Sequence, residues 1–254
     1  MSSHLLIVLS WLTGSTAFYY LTVRRGSLTG PGALAALALG TLVATRVGPA
    51  WLLPLFVFFL SSVVIGRLLP VAADAGDSKD KQPRDLVQVL CNGGVYGLIA
   101  LLDLHPALLL VSMAVATSDT WASELGKYLR RPTYDVLQWR RVPPGLSGGV
   151  STGGTLGGAA GAMLIAGLGY CLLPDYGAAM LIQVAGLGFM GMLLDSILGA
   201  TLQARYRDPV TGALSDVQHP GSTLYSGYHW VTNDLVNVLA IALMVGAALT
   251  TFTP

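Results

Sequence analysis

Eight apolar runs, each long enough to cross a bilayer, divide this chain, and its charged residues are confined to the ends of those runs and the gaps between them. A spanning helix needs about 17–25 mostly apolar residues at 1.5 Å rise each. Runs of that kind lie at 4–23, 28–45, 50–66, 86–102, 106–126, 149–173, 177–203 and 229–252. Pro49 and Pro54 shorten the second and third, which leaves a re-entrant pair open at that place. Only 11% of the 254 residues are charged, and mean hydropathy is +0.64. A soluble domain carries about 25% charged residues. So few charges cannot solvate the whole surface, which makes lipid the missing solvent. The expected fold is all-α: a polytopic transmembrane bundle of about eight spans, with residues 1–254 forming one membrane domain.

Basic residues collect on the cytoplasmic side of a membrane protein. With eight spans and both termini outside, the cytoplasmic connections hold Arg24 and Arg25, then Arg67, Lys79, Lys81 and Arg84. The next hold Lys127, Arg130, Arg131, Arg140 and Arg141, and finally Arg205 and Arg207. Of the 14 Lys and Arg residues only Arg46 then stays outside. Span count and orientation thus support each other. In a bacterium they predict a protein of the inner (plasma) membrane whose active face is cytoplasmic. No basic residue precedes the first run, whereas Arg24 and Arg25 follow it, which predicts a retained helix and not a cleaved signal peptide. A net charge of +1 builds no basic face and excludes nucleic acid as a partner. The same topology sets Cys91 and Cys171 near opposite membrane faces, so no disulfide is expected between them.

Ionisable side chains inside a bilayer cost about 2.5–3.5 kcal/mol each on insertion scales, so each one asks for a reason. The fifth run ends Ser118-Asp119-Thr120-Trp121-Ala122-Ser123-Glu124-Leu125-Gly126-Lys127. The seventh holds Asp195 and Ser196, and the eighth opens with Asn233, Asp234 and Asn237. The fourth opens with Gln88 and Asn92, preceded by Arg84. Helix direction puts Asp119, Glu124 and Asp195 one or two turns below cytoplasmic ends, and Asn92, Asn233 and Asp234 at a similar depth. Four helices thus offer carboxylates and amides to one layer. Asp119 and Ser123 share a face at i, i+4, as do Asn233 and Asn237. Asp119 and Glu124 are about 140° apart around the helix and need not act together.

A single Asn, Ser or Thr in such a layer is explained by hydrogen bonding between helices. A carboxylate is costly for that purpose. Three of them offer the hard oxygen ligands that suit Mg²⁺, which takes one or two carboxylates plus waters and phosphate oxygens. On the cytoplasmic face such a site meets nucleoside triphosphates. Arg84, Lys127, Arg140 and Arg141 stand beside it as phosphate ligands, while Arg24, Arg25, Arg130 and Arg131 read as anchors at anionic headgroups.

The run Pro143-Pro144-Gly145-Leu146-Ser147-Gly148-Gly149 leads into the sixth helix, and a Gly-rich turn at a helix N-terminus can cradle phosphate. Gly148 to Thr155 mimics the glycine spacing of a P-loop. It lacks the Lys before the final hydroxyl and a preceding buried strand, so the P-loop reading is rejected. Gly149, Gly153, Gly157 and Gly161, four apart, make a flat stripe for close helix approach. His4, His105, His219 and His229 have no metal-ligand spacing, and no HExxH, CxxC or nucleophile elbow is present. No repeat at solenoid spacing occurs.

Several blocks together resemble a known family. They are Arg84-x-x-x-Gln88-Val89-x-x-Asn92-Gly93, Asp119-Thr120-Trp121-Ala122-Ser123-Glu124-x-Gly126, Val142-Pro143-x-Gly145-x-x-Gly148-Gly149-Val150-Ser151, Asp195-Ser196-x-x-Gly199-Ala200-x-x-Gln203 and Asn233-x-x-x-Asn237. The chain is similar to an integral-membrane family of bacteria, archaea and eukaryotes, long labelled a domain of unknown function, that includes human transmembrane protein nineteen and plant phytyl-phosphate kinase. The likeness runs in order through 80–254, the motif-bearing core, whereas 1–66 is less distinctive. In one departure, Thr232 stands where some relatives carry an acid before Asn233, and Asp234 bears the charge here. The resemblance implies Mg²⁺-assisted transfer of the terminal phosphoryl of a nucleotide (CTP or ATP) to a prenyl monophosphate lipid. Asp119, Asp195, Asp234 and Glu124 would then be catalytic, the first three holding the metal. Arg84, Gln88, Asn92, Ser123, Lys127, Gly148, Gly149, Ser151, Asn233 and Asn237 would bind nucleotide or lipid phosphate.

A fainter likeness, Ser118-Asp119-x-x-Ala122-x-x-x-Gly126-Lys127 before a Pro-Gly-Gly turn, points to phosphatidate cytidylyltransferases and polyprenol kinases. It leaves a cytidylyltransferase open as an alternative. A lipid or solute transporter is a third reading, since intramembrane acids also serve transport. The acids here lie on one side and line no path across the bilayer.

Overall fold

The computed structural model describes residues 3–69 and 82–252. Lys79 and Lys81, which enter the orientation argument, lie outside the described residues. The helices are α1 (Ser3–Arg24), α2 (Gly30–Arg46), α3 (Leu52–Leu68, after a 3₁₀ turn Pro49–Trp51), α4 (Leu86–Leu101) and α5 (Ala107–Leu129). They continue with α6 (Thr152–Gly167), the short α7 (Gly169–Leu172), α8 (Ala178–Thr201) and α9 (Asn233–Leu249). Every expected apolar run contains one long helix. Among the described residues, Pro49–Leu68, Thr152–Leu172 and Ala178–Thr201 are long and apolar enough to cross a membrane.

The helix ends follow from local chemistry. Asp85 and Gln88 form a capping box at α4: Gln88 N donates to Asp85 Oδ1 at 2.9 Å and Asp85 N donates to Gln88 Oε1 at 3.2 Å. Ser151 caps α6 by accepting from Gly154 N at 3.1 Å, and Thr232 caps α9. These two caps set the helix starts at 152 and 233, a few residues later than the apolar runs suggested. Arg130, in the left-handed conformation at φ 47°, stops α5.

α5 occupies the middle of the bundle, with α3, α4, α6, α8 and α9 packed around it. Every residue from Ala107 to Ser118 is buried. A helix apolar on all sides is one enclosed by other helices. α6 seats against α5 through the glycine stripe, whose helical members are Gly153, Gly157 and Gly161. A Cβ at Gly154 would come within 2.8 Å of Ala122 O, and one at Gly161 within 3.0 Å of Thr117 O. The outer faces stay apolar and exposed, as at Leu68 and Leu156, both 72% exposed, which is the surface lipid covers.

Helices dominate as expected, and the two longest connections among the described residues add short strands to them. Each folds into a three-stranded antiparallel sheet: β1 (Thr133–Asp135), β2 (Arg141–Val142) and β3 (Gly149–Val150) in the order β2-β1-β3, and β4 (Arg205–Arg207), β5 (Leu214–Ser215) and β6 (Thr223–Ser226) in the order β5-β4-β6. Strands this short show no period-two alternation for the sequence to reveal. A common order appears: a long helix (α5 or α8) feeds the central strand of a sheet, and the sheet hands on to a helix capped by a hydroxyl (α6 or α9). A buried ion pair joins the two sheets through their central strands, Arg205 Nη1 to Asp135 Oδ2 at 2.8 Å. Arg205 also donates to Ser147 O.

Candidate active site

At the end of the bundle that carries the sheets, five segments enclose a polar cavity of about 370 Å³. α5 contributes Asp119, Thr120, Ser123 and Glu124 to its wall. The approach to α4 and its first turns contribute Gln82, Arg84, Gln88 and Asn92, and the opening of α9 contributes Asn233, Asp234 and Asn237. The other side is formed by Arg25 and Ser27 after α1 and by Ser62, Gly66 and Arg67 of α3. Nine expected site residues therefore meet around one space: Arg84, Gln88, Asn92, Asp119, Ser123, Glu124, Asn233, Asp234 and Asn237.

Asp195 stands behind this wall, buried on α8, with its carboxyl beside that of Asp119. Asn237 completes the row. With its amide nitrogen turned inward, it donates to Asp195 Oδ2 at 3.0 Å and to Asn233 O at 3.2 Å. α5, α8 and α9 are thereby linked at one depth by Asp119, Asp195 and Asn237. Next to Asp119, Ser118 Oγ donates to Gly158 O at 2.8 Å and fixes α6 at the same level.

Arg84 is held by its own backbone. Its N donates to Ser27 O at 3.2 Å and its O accepts from Thr29 N at 3.0 Å, so the chain entering α4 pairs with the α1–α2 link. The guanidinium lies 5.3 Å from the Phe58 ring centre and interacts electrostatically with Glu124. Glu124 thus acts with Arg84, on the same cavity wall to which Asp119 belongs. Gln88 and Asn92 serve local structure as well as the cavity: Gln88 in the capping box, and Asn92 by donating to Gln88 O at 2.9 Å.

Two carboxyls in contact repel unless a proton or a cation lies between them. Asp119, Asp195 and the amide oxygens nearby are oxygen donors of the kind Mg²⁺ takes, and one or two carboxylates suffice for it. Among the described residues no three His, Cys, Asp or Glu side chains form a ready cluster. The residues fit a metal held by a carboxylate pair, with Asp234 on the cavity wall and outside that pair.

Lys127, Gly148, Gly149 and Ser151, expected to bind nucleotide, do not line this cavity, although Lys127 interacts electrostatically with Asp119. Lys127 is buried, with its stem running past Gly145, where a Cβ would come within 2.9 Å of Lys127 Cε. Gly148, at φ +72°, is wedged against α8, and a Cβ there would meet Ala200 Cβ at 2.6 Å. Its N–H side is covered by Gly199. Gly149 N donates back to Leu146 O at 2.9 Å, and Ser151 is occupied as the cap of α6. The turn is a packing device and forms no open cradle.

Arg25 and Arg67 are the residues that sequence reasoning set aside. Arg67 Nη2 donates to Arg25 O at 2.9 Å and to Ser27 Oγ at 2.8 Å, which ties α3 to the end of α1 at the rim of the cavity. The charge pattern groups them with the other connection arginines, and an arginine at a helix end reads the same whether it anchors the helix or faces a ligand.

Residues 13–245 match the family described as integral membrane protein DUF92. An uncharacterized membrane protein of Methanocaldococcus jannaschii is 31% identical over 183 residues, 70% of this chain and 76% of that one. Protein VTE6 of the Arabidopsis thaliana chloroplast is 26% identical over 235 residues, 85% of this chain and 62% of the relative. Protein PGR of the same plant is 27% identical over 271 residues, 90% of each chain. No solved structure matches. Since the match takes in the polar cavity and every element but the ends of α1 and α9, the chain belongs to the DUF92 family of integral membrane proteins.

Proposed function

We propose that this protein is a prenyl-phosphate kinase working at the cytoplasmic membrane face, in a bundle of eight spans with both termini outside. The observation that carries the proposal is the shared cavity, where Asp119, backed by the buried Asp195, and a backbone-held arginine face one space at one end of an apolar bundle. The family resemblance to phytyl-phosphate kinase supports the same chemistry. A phosphate oxygen of the prenyl monophosphate attacks the terminal phosphorus of CTP or another nucleoside triphosphate. The bond to the bridging oxygen breaks, and prenyl diphosphate and nucleoside diphosphate leave.

Phosphoryl transfer asks a protein for positioning and charge neutralisation more than for covalent chemistry. Mg²⁺ held by Asp119 and Asp195 would neutralise charge on the nucleotide phosphates. Asn237 orients Asp195, and Asp195 in turn fixes Asp119. Arg84 binds the acceptor phosphate, with Arg25 and Arg67 adding positive potential at the rim. Asn233, Asp234 and Ser123 hydrogen-bond the nucleotide or its bound waters.

Purified protein in detergent, given Mg²⁺, labelled CTP or ATP and a panel of prenyl monophosphates, is expected to form labelled prenyl diphosphate. Asp119→Asn and Asp195→Asn should each lower the rate by about 100-fold or more. Full activity in a folded Asp119→Asn protein overturns the assignment. Release of pyrophosphate in place of CDP would identify a cytidylyltransferase using the same residues.

A further inference from the structure

A second cavity, apolar and about 320 Å³, lies between α1, α2, α3 and α4. It borders the polar cavity directly, since Arg84, Gln88 and Asn92 line both. Its walls are aromatic and aliphatic: Trp11 and Phe18 of α1, Leu37 of α2, and Phe56 and Phe59 of α3. It reaches Gly40, about 15 Å along α2 from Gly30 at 1.5 Å per residue, and ends against Met113 of the central helix. Along α1 the wall opens to the surroundings at the exposed Gly14.

We infer that this groove holds the hydrocarbon tail of a single-chain phosphorylated lipid whose phosphate sits at Arg84, and that its depth sets the tail length the protein accepts. The inference rests on the proposed kinase reading for the identity of the headgroup. Continuity decides the occupant. One guanidinium faces acids and amides on one side and the Phe58 ring on the other, which matches a molecule that is anionic at one end and apolar beyond it. The volume is near the lower limit of small-molecule cavities, about 300 Å³, so it suits one tail and not a pair of acyl chains. Exposure of the groove beside Gly14 lets a tail slide in from the bilayer while its phosphate stays at the polar end.

Gly14 and Gly40 make the test clean. A Cβ at Gly14 meets nothing within 4 Å, and one at Gly40 meets only Leu52 Cδ2 at an ordinary 3.5 Å. Side chains there therefore start in open or ordinary contact beside the groove, and replacing helical glycine favours the helix. Gly246 on α9, with nothing within 4 Å and outside the groove, supplies the control. Binding and turnover are measured with prenyl monophosphates of one to four isoprene units, on purified wild type, Gly14→Phe, Gly40→Leu and Gly246→Phe.

The expected result is at least a tenfold shift in Kd and in kcat/KM from the longest tail towards the shortest in both groove variants, with the wild-type ratio kept in Gly246→Phe. Wild-type length preference in both groove variants overturns the groove assignment and leaves the kinase reading standing. Tail-dependent binding that shifts as described, without product from any nucleotide, upholds the groove and overturns the kinase reading. A wild-type protein that binds no prenyl monophosphate of any length overturns both.

Discussion

The Asp135 carboxyl shows how a buried charge is kept. Burial alone would push it upward. Backbone N–H donors of Gln138 and Leu137 and the Arg205 guanidinium outweigh that and hold it below the ordinary carboxylate range. A carboxyl with a lowered folded value contributes stability above its unfolded value, about pH 4, and loses it as pH falls through the folded value. Thermal melts should therefore weaken below about pH 4 in the wild type and show a flatter acid limb in Asp135→Asn. At neutral pH, Arg205→Ala strands a buried carboxylate, and a loss of about 3–5 kcal/mol is expected in denaturant titrations. An Arg205→Ala protein as stable as wild type would remove the pair from the account of the fold. The residues of the carboxylate pair were legible in the sequence because an acid inside an apolar run is costly whatever its neighbours. Arg25 and Arg67 were not, since the first three helices carry no motif around them.

Among the elements, α6 depends on contact at backbone distance. Ala122 O and Thr117 O stand where side chains at Gly154 and Gly161 would begin, so α5 or α6 must move to admit even a methyl group. Gly154→Val and Gly161→Val should each cost about 1–3 kcal/mol, read as lower melting temperatures of purified protein. Gly167→Val, where no atom lies within 4 Å of the added Cβ, is the matched control and should melt near wild type. The four-residue glycine spacing disclosed this interface in advance. The sheets stayed hidden because runs such as Arg141–Val142 and Leu214–Ser215 are too short to set a pattern and gain their order from pairing with β1 and β4. The packing of the Gly148 turn was hidden for a related reason. Its composition suits an anion cradle, and only the approach of Gly199 and Ala200 closes it.

For the whole molecule, the helix count could be read from hydropathy, and the one-sided layer of acids and amides from helix direction. Which helix is central could not, because α5 is the run interrupted by Asp119, Glu124 and Lys127. Orientation has a direct test. Cys91 and Cys171 are free thiols, and Cys171 is exposed on the short α7. In intact cells, a membrane-impermeant maleimide should label Cys171 in Cys91→Ala protein, whereas a thiol introduced by Thr211→Cys, beside β5, should react only after the membrane is opened. The reverse pattern inverts the proposed topology.

The tie between Asp135 and Arg205 has a mechanical meaning. α5 and α8 each carry one acid of the pair, and each runs on into one of the two sheets that the tie fastens together. The two helices are therefore cross-braced beyond the acids, like posts joined by a lintel above a hinge pin. Any force that splayed the posts would load the lintel as well, so the gap between the two carboxyls is braced by an ion pair in the sheets beyond the helix ends.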